Sequence, residues 1–413
     1  MSASTMSPPT SARWTVWLLL VPLLVVAGFG LLVLWNGWSV LNALGVFGDT
    51  HIAYDTPTQL GSVAVPERPN SLAWSADGSY LAAGATGETE PGLVYVVDVA
   101  KTSVKATLNT KSWVAGLAFS PDGKWLAVAT MPVTQPSAAS GTVPAELVLF
   151  DVPAFTAQFT AQAHSPESGF TDIAWAADCQ SLLAIDGPVN GAAGKAEIRR
   201  WDVPAGTEQP VVRALEIKGY AALAVSPDGR TLGLAEADTD VDRIVVRLLD
   251  LAKGTEGNGT EQLSFRVGDH QRPCRLGFTA DGKAIGIFDT DRLKLFWRDV
   301  ATGRPAERGG RYAVQPAGLS GHRSRASISP DGGWVARAHE RHRGFGDLAF
   351  DNRGEEFGSF IDVTNIASAK SQTWRVSKAQ EAPIVALAPD GAKLAGTVWQ
   401  PSGASIVIWA VPK

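Results

Sequence analysis

Hydrophobic residues in this chain fall in short runs, and the runs come in sets. The clearest set lies at residues 114–152: an apolar run at 114–120, the turn Pro121-Asp122-Gly123, a second run at 125–130, a polar stretch, and a third run at 146–152. Runs of this length bounded by Gly, Pro and Asp predict β-strands rather than helices. An Asp-Gly pair between two apolar runs predicts a tight hairpin whose two central residues both take positive φ. The third run closes on Asp151.

The same set recurs along the chain. Turn signatures stand at Asp77-Gly78, Asp122-Gly123, Asp178-Cys179, Asp228-Gly229, Asp281-Gly282, Asp331-Gly332 and Asp390-Gly391, spaced by 45 to 59 residues. Each follows a short apolar run such as Leu72-Ala73-Trp74 or Ile173-Ala174-Trp175. Third runs end in an apolar residue and Asp: Val97-Asp98, Phe150-Asp151, Trp201-Asp202, Leu249-Asp250 and Ile361-Asp362. Strands apolar on both faces need cover on both, which sheets stacked against their neighbours provide. Periodic units of this size mark a repeat architecture.

The residues Ser120-Pro121-Asp122-Gly123, Ser226-Pro227-Asp228-Gly229, Ser329-Pro330-Asp331-Gly332, Trp201-Asp202 and Gly321-His322 give residues 59–413 a resemblance to the WD-repeat β-propeller family, in a variant with Ser-Pro-Asp-Gly hairpins. The resemblance implies an all-β fold, a seven-bladed β-propeller of four-stranded antiparallel blades. The repeats are longer than the ~40–45 residues usual in the family, and Trp297-Arg298-Asp299 and Trp409-Ala410 are altered forms of the Trp-Asp pair. His164, His270 and His322 precede first strands, where the family places a structural histidine. The last unit has no fourth run of its own, so the apolar run at 59–65 is expected to complete it and close the ring.

Ahead of the array, residues 14–48 carry no charge, and 15–34 hold only Thr15 as a polar side chain. Twenty residues at ~1.5 Å rise cover the ~30 Å hydrocarbon core, which predicts one transmembrane α-helix at 14–35. Trp14, Trp17, Trp35 and Trp38 flank it as interfacial aromatics do. The stretch is longer than the apolar region of a cleaved signal peptide. Residues 1–13 are then a short tail and 36–58 an interfacial segment and linker. Arg13 precedes the span and acidic residues follow it, which sets the propeller outside the cytoplasm. By the family's topology the hairpin face then lies toward the bilayer and the other face points away.

Composition narrows the functions. A net charge of -5 argues against a nucleic-acid surface, which needs a basic patch. Two cysteines, Cys179 and Cys274, give no disulfide framework. No Gly-x-Ser-x-Gly elbow, His-Glu-x-x-His or phosphate-binding loop is present, so no catalytic residue and no cofactor is assigned.

Candidate binding residues lie in the second-to-third strand loops of units four to six, expected at 235–243, 289–292 and 336–358. They are Asp238, Asp240 and Asp242; Asp289 and Asp291; and Arg337, His339, Arg341, His342 and Arg343. The alternating aspartates lack the Gly and the terminal Glu of a calcium loop, Arg243 standing where Gly is needed. His322, His339 and His342 lack the spacing of a metal site, and no metal is assigned. The expectation is a membrane-anchored platform for protein partners or a ligand, without catalysis. Two alternatives stay open: an enzyme using these loops, and a scaffold facing the cytoplasm.

Overall fold

The computed structural model of the chain describes residues 56–85, 92–134, 142–189, 192–203, 205–238, 243–251, 260–267, 274–279, 281–289, 294–306, 326–328, 334–341, 358–365, 368, 370–377, 383–400 and 403–412. The candidate transmembrane segment lies outside them. Among the described residues no helix is long and apolar enough to cross a membrane.

The described chain is all strand and turn. β1 (Gln59–Val65) comes first, and sheet one follows with β2 (Pro69–Trp74), β3 (Tyr80–Ala85), β4 (Leu93–Asp98) and β5 (Ser103–Asn109). Sheet two holds β6 (Trp113–Phe119) and β7 (Trp125–Met131), then, past a ribbon of β8 (Val133–Thr134) and β9 (Thr142–Val143), β10 (Glu146–Asp151) and β11 (Ala157–Gln162). Sheet three is β12 (Ser168–Trp175), β13 (Ser181–Pro188), β14 (Gly194–Asp202) and β15 (Thr207–Ile217). Sheet four is β16 (Ala221–Val225), β17 (Thr231–Asp238), β18 (Arg243–Asp250) and β19 (Thr260–Val267). Sheet five shows three strands among the described residues: β20 (Cys274–Phe278), β21 (Ala284–Asp289) and β22 (Lys294–Asp299). Sheet six is β23 (Ala326–Ile328), β24 (Trp334–Arg341), β25 (Gly358–Asn365) and β26 (Ser371–Ser377). Sheet seven is β27 (Val385–Leu387), β28 (Lys393–Gln400) and β29 (Gly403–Ala410), with β1 as its fourth strand.

That last pairing joins the two ends of the array: β1 runs antiparallel to β29, with Ser62 opposite Val407 and Val65 opposite Ala404. First strands of successive sheets touch, β2 against β6, β6 against β12, β12 against β16, β16 against β20 and β23 against β27, and β27 returns to β2. The burial pattern follows from this stacking. β3 and β10 are buried on both faces, because each face meets a neighbouring sheet. The fourth strands β5 and β11 are mostly exposed. Fully buried side chains such as Leu81, Leu126, Ile173 and Leu234 each contribute ~1.5–3 kcal/mol. Trp74 and Trp175 add cross-sheet bonds, donating Nε1–H to Ala386 O at 2.9 Å and Ala118 O at 3.1 Å.

The first-to-second strand turns differ from the expected form. Only the glycine has positive φ, at 69° in Gly78, 72° in Gly123 and 69° in Gly229, and the preceding aspartates do not. Ser75 O accepts from Gly78 N–H at 2.9 Å and Ser75 N–H donates to Tyr80 O at 2.9 Å, so a type I turn ends in one left-handed residue. Side chains fix this choice. Ser75 Oγ donates to Asp77 Oδ1 at 2.7 Å and accepts from Tyr80 N–H at 2.8 Å, while Asp77 Oδ1 accepts from Ser79 N–H at 3.0 Å. The network repeats at Ser120 and Asp122, Ser226 and Asp228, and Thr279 and Asp281. Ala176 and Ala388 lack the hydroxyl, and there Asp178 and Asp390 keep only the backbone part. Cys179, buried, takes φ of 59° where other turns have glycine.

Two further boundaries move. In sheet six the third strand ends at Asn365, which pairs with Trp334 as Asp98 pairs with Tyr80, so Asp362 is a mid-strand residue. Asn365 takes the strand-end role, its Oδ1 accepting from Ser368 N–H at 2.9 Å as Asp98 Oδ1 does from Lys101 N–H at 3.0 Å. In sheets four, six and seven the second-to-third connections are also shorter than expected, because cross-strand pairing continues into them.

Candidate functional site

All second-to-third strand connections open at one end of the sheets, opposite the Asp-Gly turns. Asp238 is the last residue of β17, paired with Arg243, and Asp289 is the last of β21, paired with Lys294. Asp240, Asp242, Asp291, His342 and Arg343 lie outside the described residues. Arg337, His339 and Arg341 are on β24, opposite Asp362, Phe360 and Gly358, rather than in a loop. Of these, Arg337 stands directly opposite a charged residue, Asp362.

Below this end three sheets carry a charge relay at one register. Five residues after Ser181, Thr231 and Trp334 stand Asp186, Glu236 and His339 on second strands. Three residues before their strand-end partners Asp202, Asp250 and Asn365 stand Arg199, Arg247 and Asp362 on third strands. In sheet three, Arg199 Nη1 lies 2.6 Å from Asp186 Oδ2 and Nη2 lies 2.7 Å from Glu208 Oε2 on β15. The guanidinium also sits over the Trp201 and Phe170 rings, 5.0 and 5.7 Å from their centroids, and donates to Gln162 O of sheet two at 2.7 Å. His164 enters through its backbone N–H, which donates to Asp186 Oδ2 at 2.7 Å.

In sheet four, Arg247 Nε is 2.7 Å from Glu236 Oε2 and Nη1 is 3.1 Å from Glu261 Oε2 on β19. Glu261 also reaches Arg213 of sheet three at 3.4 Å. Sheet six reverses the polarity. Asp362 is the middle member, with Oδ2 3.1 Å from His339 Nε2, while Oδ1 accepts from Thr373 Oγ1–H at 2.7 Å.

Electrostatics follow the surroundings. Burial pushes the Asp186 carboxyl above its ordinary range, against the opposing pull of Arg199. The Arg247 guanidinium is shifted upward by Glu236. Burial raises Asp362 as well, but His339 and Thr373 outweigh it and hold the carboxyl below its usual value.

The same end carries an exposed aromatic on a fixed mount. Trp113, at the start of β6 and paired with Met131, is 40% exposed. Its preceding turn is stitched down: Thr110 Oγ1 donates to Gly92 O at 2.9 Å, Lys111 N–H to Glu146 Oε1 at 3.1 Å and Ser112 Oγ to Pro144 O at 2.6 Å. At the turn end, a groove of 260 Å³ between sheets seven and one is lined by Leu60, Gly61, Val99, Ile408 and Lys393 among others, and none of the candidate binding residues lines it. Among the described residues no group of His, Cys, Asp and Glu is arranged to hold a metal ion.

Similarity to known proteins agrees with this geometry. Residues 102–131 match the family described as WD domain, G-beta repeat. The chain has the fold of a WD-repeat β-propeller. A chain in the crystal structure of the mitotic checkpoint complex is similar, with a TM-score of 0.55, 17% identity and coverage of 88% of this chain and 94% of that one. The Cps50 (Swd1) β-propeller domain of Myceliophteria thermophila is similar too, with a TM-score of 0.56, 13% identity and coverage of 86% and 100%. No curated protein matches the chain. At these identities the likeness concerns the fold. The relays were not visible in sequence because their second- and third-strand members are 11 to 23 residues apart and meet only once the register is known.

Proposed function

We propose that the chain is a membrane-anchored, seven-bladed propeller that holds protein partners, or a ligand, on its second-to-third strand loops and performs no catalysis of its own. The observation carrying this is the asymmetry of the two ends: uniform, internally hydrogen-bonded turns at one, and connections of differing length beside the fixed, exposed Trp113 at the other. Binding residues concentrate on loops held by a rigid scaffold, and aromatic anchors dominate interface energetics. Interaction scaffolding is also the usual task of WD-repeat propellers, and one similar chain belongs to a multiprotein complex.

The apolar segment at 15–34 supplies the anchor. Ala410 N–H donates to Thr58 O at 2.9 Å, so the linker enters at the turn end. In this reading the turn end faces the bilayer and the loop end faces outward. The test is purification of the full-length protein from gently solubilised membranes, with single-cysteine labelling of intact cells at the loop end. Retention of a protein partner and labelling from outside are the expected results. A tightly held metal or small molecule in place of a partner would favour an enzyme, and labelling only after lysis would reverse the topology.

A further inference from the structure

We infer that the groove between sheets seven and one holds an acyl chain of a zwitterionic membrane phospholipid. The presence of lipid at this end rests on the membrane-anchored reading above, and the groove names what the turn end meets there.

The groove is built by the seam that joins the two ends of the array. β1 brings Leu60 and Gly61, β29 brings Ile408, and the turn between β4 and β5 brings Val99 and Ala100. Glycine at position 61 lets β1 approach sheet one closely, since a Cβ there would stand 2.6 Å from Thr102 Cγ2. Leu60 is 52% exposed, the most exposed large hydrophobic residue among those described, and Val104, two residues past Thr102, is 39% exposed. Apolar walls with an exposed apolar rim favour an apolar occupant, because covering them removes that surface from water.

Reach and charge make that occupant a lipid. The linker at 36–58 is 23 residues long and spans at most ~80 Å. Its end is fixed two residues before Leu60, where Thr58 O accepts from Ala410 N–H. A chain anchored through 15–34 therefore carries the groove within that distance of the hydrocarbon.

Lys393 is the only charged residue lining the groove, and its Nζ stands 3.3 Å from Asp390 Oδ2. Lys101, next to Ala100, stands 3.4 Å from Asp98 Oδ2. Asp77, next to Gly78, is bound within its turn by Ser75 and Ser79. The lip thus alternates ammonium and carboxylate and carries no excess of positive charge for an anionic headgroup. A zwitterionic headgroup matches it, with phosphate oxygens toward Lys393 and Lys101 and the cationic amine toward Asp390. Ion pairs this exposed contribute little by themselves, so a headgroup displaces them at small cost.

The test uses the full-length protein in vesicles of dioleoylphosphatidylcholine and dioleoylphosphatidylethanolamine. The photoreactive p-benzoylphenylalanine replaces Leu60, the exposed Gln180 in the turn of sheet three, or Trp113 at the loop end, and lipid adducts are read by mass spectrometry after illumination. Position 60 should take several-fold more lipid than position 180, and position 113 none. Ala100→Phe, which fills the groove from its exposed side, should remove the excess at position 60 without changing membrane insertion. Equal adducts at 60 and 180 overturn the groove and leave the anchor standing, whether or not Ala100→Phe folds, and so does an excess that survives a folded Ala100→Phe. A protein that does not insert, or that takes lipid only at position 113, overturns the anchored reading or its orientation and the inference with it.

Discussion

At the turn end, Ser75, Ser120, Ser226 and Thr279 repeat one hydrogen-bond network within six residues of chain. At the loop end, connections run from 2 residues between β28 and β29 to 16 between β24 and β25. The turn network is local: a hydroxyl, a carboxylate and a residue free to take positive φ suffice, and where Ala176 and Ala388 lack the hydroxyl the backbone part remains. Among the described residues the loop end repeats no such network, and the differing connections leave the stacked sheets intact. On the proposed reading, scaffold and interaction surface are thereby separated along the strands.

The relays mark where tolerance at the loop end stops. Arg199→Ala strands the fully buried Asp186 carboxylate without its cation and should cost ~3–5 kcal/mol in denaturant unfolding, the scale of a broken buried pair. A loss under ~1 kcal/mol, the worth of a surface ion pair, would show that variability extends into the sheet.

Next in size, Gly229→Ala at the turn end meets no steric obstacle, since nothing lies within 4 Å of an added Cβ, yet φ is +69°. The left-handed conformation alone should cost ~1–2 kcal/mol. Equal stability of the variant would mean that the turn backbone adapts and that its uniformity has another cause.

A smaller effect separates turns with and without the hydroxyl. The Ser226 hydroxyl, then the Arg230 N–H, hold Asp228 below its ordinary range, and Asp281 is lowered first by Thr279. At Asp77 and Asp122 burial is the largest single influence and acts upward, but the Ser75 hydroxyl with the Ser79 bonds, and the Ser120 hydroxyl with the Lys124 bonds, together outweigh it. A lowered folded value means this stability is present above the ordinary Asp range, near pH ~3.9, and is lost as pH falls through the folded value. Ser226→Ala should cost ~1 kcal/mol at pH 7 and lose less than wild type on acidification from pH 4. Parallel acid profiles would remove the hydroxyl from the explanation.

Much of the turn end was legible because its information is local: Asp-Gly after an apolar run, or Asp178-Cys179 in one unit, located the described hairpins, while Asp331-Gly332 lies outside the described residues. The φ values were misassigned because the Asp-Gly rule describes two-residue loops, whereas the serine hydroxyl closes a longer turn. Asp362 was misplaced because Ile361-Asp362 imitates a strand end, and only pairing reveals Asn365 in that position. Arg337, His339 and Arg341 read as loop because charge density suggests solvent, while each pairs across to β25. The relays carried a faint signal, an acid or histidine five residues into a second strand, which became meaningful only with register. Asp240, Asp242, Asp291, His342 and Arg343 rest on sequence alone.

The most direct measurement is partner capture from gently solubilised membranes by two full-length variants compared with the parent. In one, residues 342–357 are replaced by a short Gly-Ser turn; in the other, the turn-end cations Lys124, Arg230 and Lys283 are changed to Glu. Loss of the partner only in the first, with both variants folded, is the expected result. Loss only in the second would place the interaction surface at the turn end and contradict the division of labour between the two ends.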